Sequence, residues 1–180
     1  DQALQQYNEL MEKLQEENPQ LFLSLSIQVF QDQSSTINRI ISCLSGILKL
    51  IKPSSVNPIF KICEFWNNPS MNEITNNIKL YLFNCIPNEH LPIQNLSAFA
   101  FALIFIIESK DKINPFWSDI LVKLSNGITD NSSSESCKHG CLTFFSEIIR
   151  TPIFKRTPQF QNFLIPGFHI ILGKLIENLS

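Results

Sequence analysis

The spacing of apolar residues between positions 113 and 150 constrains the fold more than any other feature of the sequence. From residue 113 to 128 apolar side chains recur every three or four positions, which places them along one side of a helix. Residues 130–134 are polar, and a second stripe of the same kind runs from Cys137 to Ile149. Two amphipathic helices joined by a short polar turn form an antiparallel hairpin.

Polar residues before two of the apolar stripes match helix-start signals. The tetrapeptide Ser132-Ser133-Ser134-Glu135 has the capping-box pattern, so we expect it to satisfy the free N–H groups at the start of the second hairpin helix. Thr36, or Ser35 before it, is expected to cap an earlier helix in the same way.

The same helical spacing continues along the rest of the chain. It predicts helices over residues 2–17, 19–30, 36–51, 71–86, 94–109 and 159–179 besides the hairpin, with two or three helical turns within residues 56–69. Strict alternation of apolar and polar residues never lasts more than a few positions, and no Asn-Gly turn joins two β-branched runs. The sequence therefore predicts an all-α fold.

The longest apolar run covers residues 96–107 and is interrupted only by Ser97. A membrane-spanning helix needs roughly 20 such residues. We therefore expect a buried helix and no membrane insertion. Glu108, which ends the run, and Asp111 are expected to be solvated residues at a helix end.

Composition narrows the class of protein further. The 14 basic and 16 acidic residues give a net charge of −2 without a long run of either sign, so the basic stripe typical of a nucleic-acid binder is missing. The five cysteines are odd in number and lie mostly within apolar helical patterns, which favours a reducing compartment, the cytosol or the nucleus.

Pairing the predicted helices divides the chain into four units, at residues 1–33, 34–87, 88–131 and 132–180. Helical hairpins of roughly 40 residues are the period of HEAT and armadillo-type solenoids. One such hairpin leaves apolar surface uncovered, and stacking covers it. We therefore predict an α-α superhelix of about four helical hairpins, with a closed helical bundle as the alternative, and expect the chain to be a segment of a longer solenoid.

Three blocks of sequence resemble the N-terminal region of the importin-β (karyopherin-β) family. Trp117-Ser-Asp-Ile-Leu-Val-Lys-Leu, followed by a polar turn, resembles the junction of its third and fourth repeats, and Trp66 followed by residues 78–82 resembles its second repeat. Residues 3–22 resemble the first repeat. Residues 48–50 read Leu-Lys-Leu where the family has Leu-Lys-Asn, which leaves both the importin and the exportin subfamilies open.

The resemblance implies a nuclear transport receptor that shuttles between cytoplasm and nucleus through the nuclear pore. In that family the second helices of the first repeats bind the small GTPase Ran in its GTP form, and cargo, adaptors and nucleoporins bind mainly later repeats. It implies a binding protein without enzymatic activity and without a cofactor.

Polar positions on the second helix of the predicted pairs are therefore the candidate partner-binding residues. They are Glu73, Asn76, Asn77, Asp119, Lys123 and Asn126. The competing interpretation is ordinary solvated surface. Trp66 and Trp117 lie on apolar stripes and are expected in the core.

No residue pattern indicates catalysis or a metal site. Cys137 and Cys141 share one side of a helix whereas His139 points nearly opposite, so we interpret both cysteines as core residues and predict no metal. His90 and His169 have no nucleophile or carboxylate at a catalytic spacing. The alternative to a transport receptor is a HEAT-repeat scaffold segment of another assembly, and an enzyme is the least favoured class.

Overall fold

All regular secondary structure in the described part of the protein is helical. The computed structural model describes residues 2–53, 59–109 and 115–151, together with His169 and Gly173. These residues form eight α-helices and one 3-10 helix, and none of them lies in a strand. The α-helices are α1 (Gln2–Glu17), α2 (Pro19–Gln31), α3 (Ile37–Ile51), α4 (Ile59–Trp66), α5 (Asn72–Asn84), α6 (Leu91–Glu108), α7 (Pro115–Thr129) and α8 (Glu135–Arg150), and the 3-10 helix is Pro69–Met71.

The all-α prediction is confirmed for these residues, and the helices predicted up to residue 150 are all present. The helix predicted over residues 159–179 lies outside the described residues except for His169 and Gly173, which are helical and exposed. The division into four hairpin repeats stays a prediction.

Side-chain caps fix the start of three helices. The Asn18 side chain accepts a hydrogen bond from the Leu21 N–H at 3.1 Å. Thr36 is the N-cap of α3, and its hydroxyl accepts from a backbone N–H of the first turn at 3.5 Å. At α8 the cap is Ser134, which accepts from the Cys137 N–H at 3.1 Å.

The capping box predicted before α8 does not form, since Glu135 is the first residue of the helix instead of closing its first turn. Ser132 is engaged elsewhere: its N–H and its hydroxyl both donate to the Asp130 carboxylate at 2.8 Å. Asp130 therefore organises the turn, and Ser134 caps the helix.

α6 begins at Leu91, three residues before the predicted start, because Pro92 lies in the first turn, where its missing N–H breaks no helical hydrogen bond. By length and hydropathy α6 is the one described helix able to span a membrane, and 67% of it is buried inside the protein. The prediction of a buried helix is confirmed.

The helices lie in two layers. In the first, α3 packs against α1 and α6, and α6 packs against α8. In the second, α2 packs against α5, and α7 lies next to α5, with the Lys79 ammonium of α5 over the Phe116 ring of α7. The layers meet where α1 packs on α2, α2 on α3, α5 on α6 and α7 on α8. α4 also packs on α6. The central helix α6 is therefore covered on several sides.

The core is aromatic where α6, α7 and α8 meet. The Trp117 ring lies 4.9 Å from the Phe101 ring and 5.2 Å from the Phe105 ring, centroid to centroid, and Phe144 of α8 lies 5.6 Å from Phe101. All four side chains are fully buried. The prediction that Trp117 is a core residue is confirmed, and Trp66 is buried as well.

α8 lies close to the turn between α5 and α6 at Gly140. A Cβ atom added to this glycine would collide with the carbonyl oxygen of Ile86, in the turn between α5 and α6. Glycine is therefore required at this position by the backbone contact.

α1 contacts α3 through polar groups as well as through apolar side chains such as Met11. The Tyr7 hydroxyl lies 3.4 Å from the Cys43 sulfur, and the Lys49 ammonium lies 2.7 Å from the Glu12 carboxylate at the surface. A cavity of about 420 Å³ lies between the two helices, with Met11 and mostly polar side chains in its wall.

Candidate interaction surface

The three candidate residues of α5 lie on its exposed side. Glu73, Asn76 and Asn77 are exposed, whereas Ile78 and Leu82 of the same helix are fully buried. This alternation follows from the helical period: the apolar stripe turns toward α6 and leaves the polar positions outside.

The three candidate residues of α7 are arranged in the same way. Asp119, Lys123 and Asn126 are exposed, while the stripe that contains Ile120 and Leu124 is buried. The structure thus places all six candidates in the layer formed by α2, α5 and α7. We call the surface formed by Glu73, Asn76, Asn77, Asp119, Lys123 and Asn126 the α5–α7 face. Within the described chain no hydrogen bond or ion pair joins these six side chains to each other.

Large apolar side chains accompany these polar residues. Leu80 of α5 is 60% exposed, Val122 of α7 is 59% exposed and Phe116 is 43% exposed. The apolar spacing of residues 113–128 predicts Phe116 on the buried stripe, and its exposure shows that this prediction is wrong. Leu80 and Val122 lie off the apolar stripes of their helices, and this position is the signal in the sequence for their exposure. A contiguous exposed apolar patch rimmed by polar groups is typical of protein-contact surfaces, whereas single exposed apolar side chains are ordinary.

A small cavity between α2 and α5 continues this surface. The Phe30 and Tyr81 rings stack with centroids 3.8 Å apart and form one wall of a cavity of about 150 Å³. Asn77 and Leu80 lie at its edge. Burial raises the pKa of the Tyr81 hydroxyl well above its ordinary value, so this hydroxyl stays protonated.

Behind the α5–α7 face lies a buried charged group that we call the Glu108 cluster: Glu108, Lys79, Trp66 and Trp117. The Lys79 ammonium lies 2.9 and 3.1 Å from the two Glu108 oxygens. The Trp66 indole N–H donates to one oxygen at 3.0 Å and the Trp117 indole N–H to the other at 2.8 Å. Glu108 closes α6, while the three donors come from α4, α5 and α7.

The expectation that Glu108 is a solvated residue at a helix end is wrong. Its side chain is 10% exposed and that of Lys79 is 11% exposed. The physical reason is that three hydrogen-bond donors from other helices replace the water that the carboxylate loses on burial. One signal was present in the sequence: a single carboxylate ends the apolar run of α6, and Trp117 follows nine residues later.

The Glu108 cluster also borders a polar cavity of about 240 Å³. Amide and hydroxyl side chains line the rest of it, and Asn76 of the α5–α7 face is among them. Asn76, a predicted contact residue, therefore lines the same cavity as the Lys79–Glu108 ion pair.

The cysteine–histidine segment of α8 is built into the packing. Cys141 is buried, and burial together with the neighbouring Cys137 raises the pKa of its thiol to about 12. The ring Nδ1 of His139 lies 2.6 Å from the side-chain oxygen of Gln94, and the Gln94 amide nitrogen donates to the Asn88 and Ser136 carbonyls. Gln94 is fully buried and ties the start of α6 to α8.

In the described chain no group of three or more His, Cys, Asp or Glu side chains is arranged to hold a metal ion. His90 and His169 are both exposed. The backbone N–H of His90 donates to the Asn88 side chain at 2.8 Å, and the His90 carbonyl accepts the Gln94 N–H at 3.0 Å in the first turn of α6.

Comparisons of the chain with protein-family models, with curated proteins and with solved structures find no match.

Proposed function

We propose that the chain is a segment of a HEAT-type α-α superhelix that binds a partner protein and catalyses no reaction. The observation that carries this proposal is the order of the two layers: α1, α3, α6 and α8 succeed one another in the first, and α2, α5 and α7 in the second. In stacked repeats each unit contacts its neighbours, and successive exposed positions form an extended binding surface.

The packing order favours a stack over a closed bundle. A bundle brings its first and last helices together around one core. Among the described helices α1 packs on α2 and α3, and α8 packs on α6 and α7, without close packing between α1 and α8. The apolar character of α6 on all sides has the same explanation, because a helix in the middle of a stack is covered from several directions.

For the contact surface we propose the α5–α7 face. It combines two carboxylates and one ammonium with three amides, and exposed Leu80 and Val122 lie on the same two helices. Mixed charge with exposed aliphatic groups suits a protein partner, whereas a nucleic acid would require a concentration of positive charge.

For the partner we propose Ran in its GTP form, within a nuclear transport receptor that shuttles between cytoplasm and nucleus. This step depends on the importin-β resemblance. Its blocks lie at the end of α4 (Trp66), in α5 (residues 78–82) and in α7 (Trp117). α2, α5 and α7 are the second helices of the first three predicted repeats, which the resemblance assigns to Ran.

The test is retention of Ran by the immobilised chain, with Ran loaded either with GDP or with a non-hydrolysable GTP analogue. We expect retention of the GTP form alone. Equal retention of both forms, or retention of neither, would refute the assignment to Ran.

Paired variants locate the surface. Asp119→Ala with Lys123→Ala removes both charges that α7 contributes to the face, and we expect at least about tenfold weaker binding, the equivalent of about 1.4 kcal/mol. The matched control is Glu16→Ala with Lys13→Ala, which removes an exposed acid and base from α1 in the other layer. If the control variant loses as much affinity as the α7 variant, the α5–α7 face is not the contact surface.

The second candidate function is a HEAT-repeat scaffold segment of another assembly. The same two layers and the same face support it, since neither is particular to one partner. Two results together would support this second function. Ran is not retained while another protein binds the chain, and that protein binds the control variant but not the α7 variant.

A further inference from the structure

The Glu108 carboxylate is fully used by groups from three other helices. A carboxylate has about four lone-pair sites. Here the Lys79 ammonium lies within 3.1 Å of both oxygens, and each oxygen also accepts one indole N–H. Any relative movement of α4, α5 or α7 therefore stretches a charge-assisted hydrogen bond to a carboxylate that is only 10% exposed.

The distance between α5 and α7 depends on the Glu108 cluster more than the distances between other neighbouring helices do. α2 and α5 pack directly, as do α7 and α8, whereas α5 and α7 are not among the closely packed helix pairs of the described chain. They are joined through Lys79 of α5, whose ammonium lies 4.9 Å above the centre of the Phe116 ring, and through the common acceptor Glu108.

A buried ion pair contributes little net stability compared with apolar side chains of the same size, because both charges lose their hydration. Its better supported role is to select one geometry among several of similar energy. The position of the Glu108 cluster fits that role, since it lies between the two helices that carry the α5–α7 face.

We propose that Glu108 is a positioning residue that holds α5 and α7 at one separation, so that both halves of the α5–α7 face meet a partner together. The consequence for binding rests on the proposed function, whereas the geometric part does not. The carboxylate makes no contact with the partner and acts through Lys79 and Trp117.

The test measures the distance between spin labels at Leu80 and Val122, the exposed apolar positions of α5 and α7, in the 180-residue chain. The labels are attached to unnatural amino acids because the chain has five cysteines. The informative pair of variants is Trp117→Phe and Trp66→Phe. Each removes one indole donor from the same carboxylate, but Trp117 belongs to α7 and Trp66 to α4.

We expect a narrow distance distribution in the unmodified chain and in Trp66→Phe, and a broadened one in Trp117→Phe and Glu108→Gln. Labels at Gln28 and Leu80 report on α2 and α5, which pack directly, and their distribution should stay unchanged in every variant. Equal broadening in the two tryptophan variants, or none in either, would overturn the proposal. Should Glu108→Gln fail to fold, as circular dichroism would reveal, the two tryptophan variants still decide.

Binding gives a second readout. If only about a tenth of the Glu108→Gln molecules hold the binding-competent separation, the apparent affinity for a partner of the face falls about tenfold. An unchanged affinity alongside a broadened distance would overturn the link to binding. Because the distance is measured without a partner, failure to retain Ran would refute the proposed function and leave the geometric result standing.

Discussion

Replacing Lys79 by methionine tests how the buried ion pair is stabilised. Methionine keeps most of the length and apolar surface of the lysine stem but removes the charge, so the Glu108 carboxylate is left buried with two indole donors and no cation. Breaking a buried pair in this way costs about 3–5 kcal/mol. Each indole still supplies a hydrogen bond to a charged oxygen, about 1.5–3 kcal/mol, so we expect a loss near the lower limit, about 3 kcal/mol.

Adding Glu108→Gln to this variant should restore part of the lost stability. The glutamine oxygen still accepts one indole N–H, and no uncompensated charge remains. The other indole N–H loses its acceptor, at a cost of about 1–3 kcal/mol, while the polar cavity beside the cluster supplies partners for the two amide N–H groups of the glutamine. Glu108→Gln alone leaves the ammonium buried and should cost about as much as Lys79→Met alone. The double variant should therefore lose about 2 kcal/mol, against about 6 kcal/mol if the two changes acted independently.

The assay is guanidinium unfolding followed by far-UV circular dichroism and by tryptophan fluorescence. Fluorescence is a local reporter here because both tryptophans of the chain donate to Glu108. The control pair is Lys49 with Glu12, which is shorter at 2.7 Å but has side chains 58% and 64% exposed. Water screens that pair, so Lys49→Met should leave the unfolding midpoint unchanged. Equal losses in Lys79→Met and Lys49→Met, or additive losses in the double variant, would refute the reasoning.

Three further changes test other contacts. Gly140→Ala should destabilise the protein by at least about 2 kcal/mol, because overpacking against a backbone carbonyl costs the upper end of about 1–3 kcal/mol and alanine recovers at most about 1 kcal/mol of helix propensity. Gly173→Ala is the control, since its added Cβ would meet no atom of the described residues within 4 Å, and it should not destabilise the protein in chemical denaturation. Ser134→Ala should lower stability by about 0.5–2 kcal/mol as a lost N-cap, and an equal loss in Ser132→Ala would contradict the assignment of the cap. Burial raises the pKa of the Cys141 thiol to about 12 in the folded protein, against about 8.5 in the unfolded chain. The unfolded chain therefore loses this proton first, so the free energy of unfolding falls as the pH rises from about 8.5 toward 12. We expect a smaller slope of unfolding free energy against alkaline pH in Cys141→Ala, and an unchanged slope would contradict this reasoning.

Local pattern was sufficient for the helices and for much of the core. The three-and-four spacing predicted the hairpin of α7 and α8, and the predicted cap at Thr36 follows from one side chain acting on the next turn. These features depend on neighbours in the chain, which is why periodicity reveals them. Even so, the cap of α8 was placed wrongly, because two serine patterns competed and the Asp130 turn decided between them.

The candidate surface was predictable only as a set of exposed positions. The helical period predicted that Glu73 and Asp119 would face outward, and they do. That α5 and α7 belong to one layer, and that Leu80 and Val122 leave apolar surface there, depends on which helices pack against which.

For the described residues, local sequence pattern is enough to predict the helical class, the approximate bounds of the helices and most of the buried side of each, since these properties arise within a few residues of chain. The tertiary structure alone decided the environment of Glu108. Its donors Lys79 and Trp66 lie 29 and 42 residues away, and no pattern local to residue 108 shows that they meet there. A carboxylate at the end of a helix is ordinarily solvated, and only the convergence of four helices turns this one into a buried acceptor.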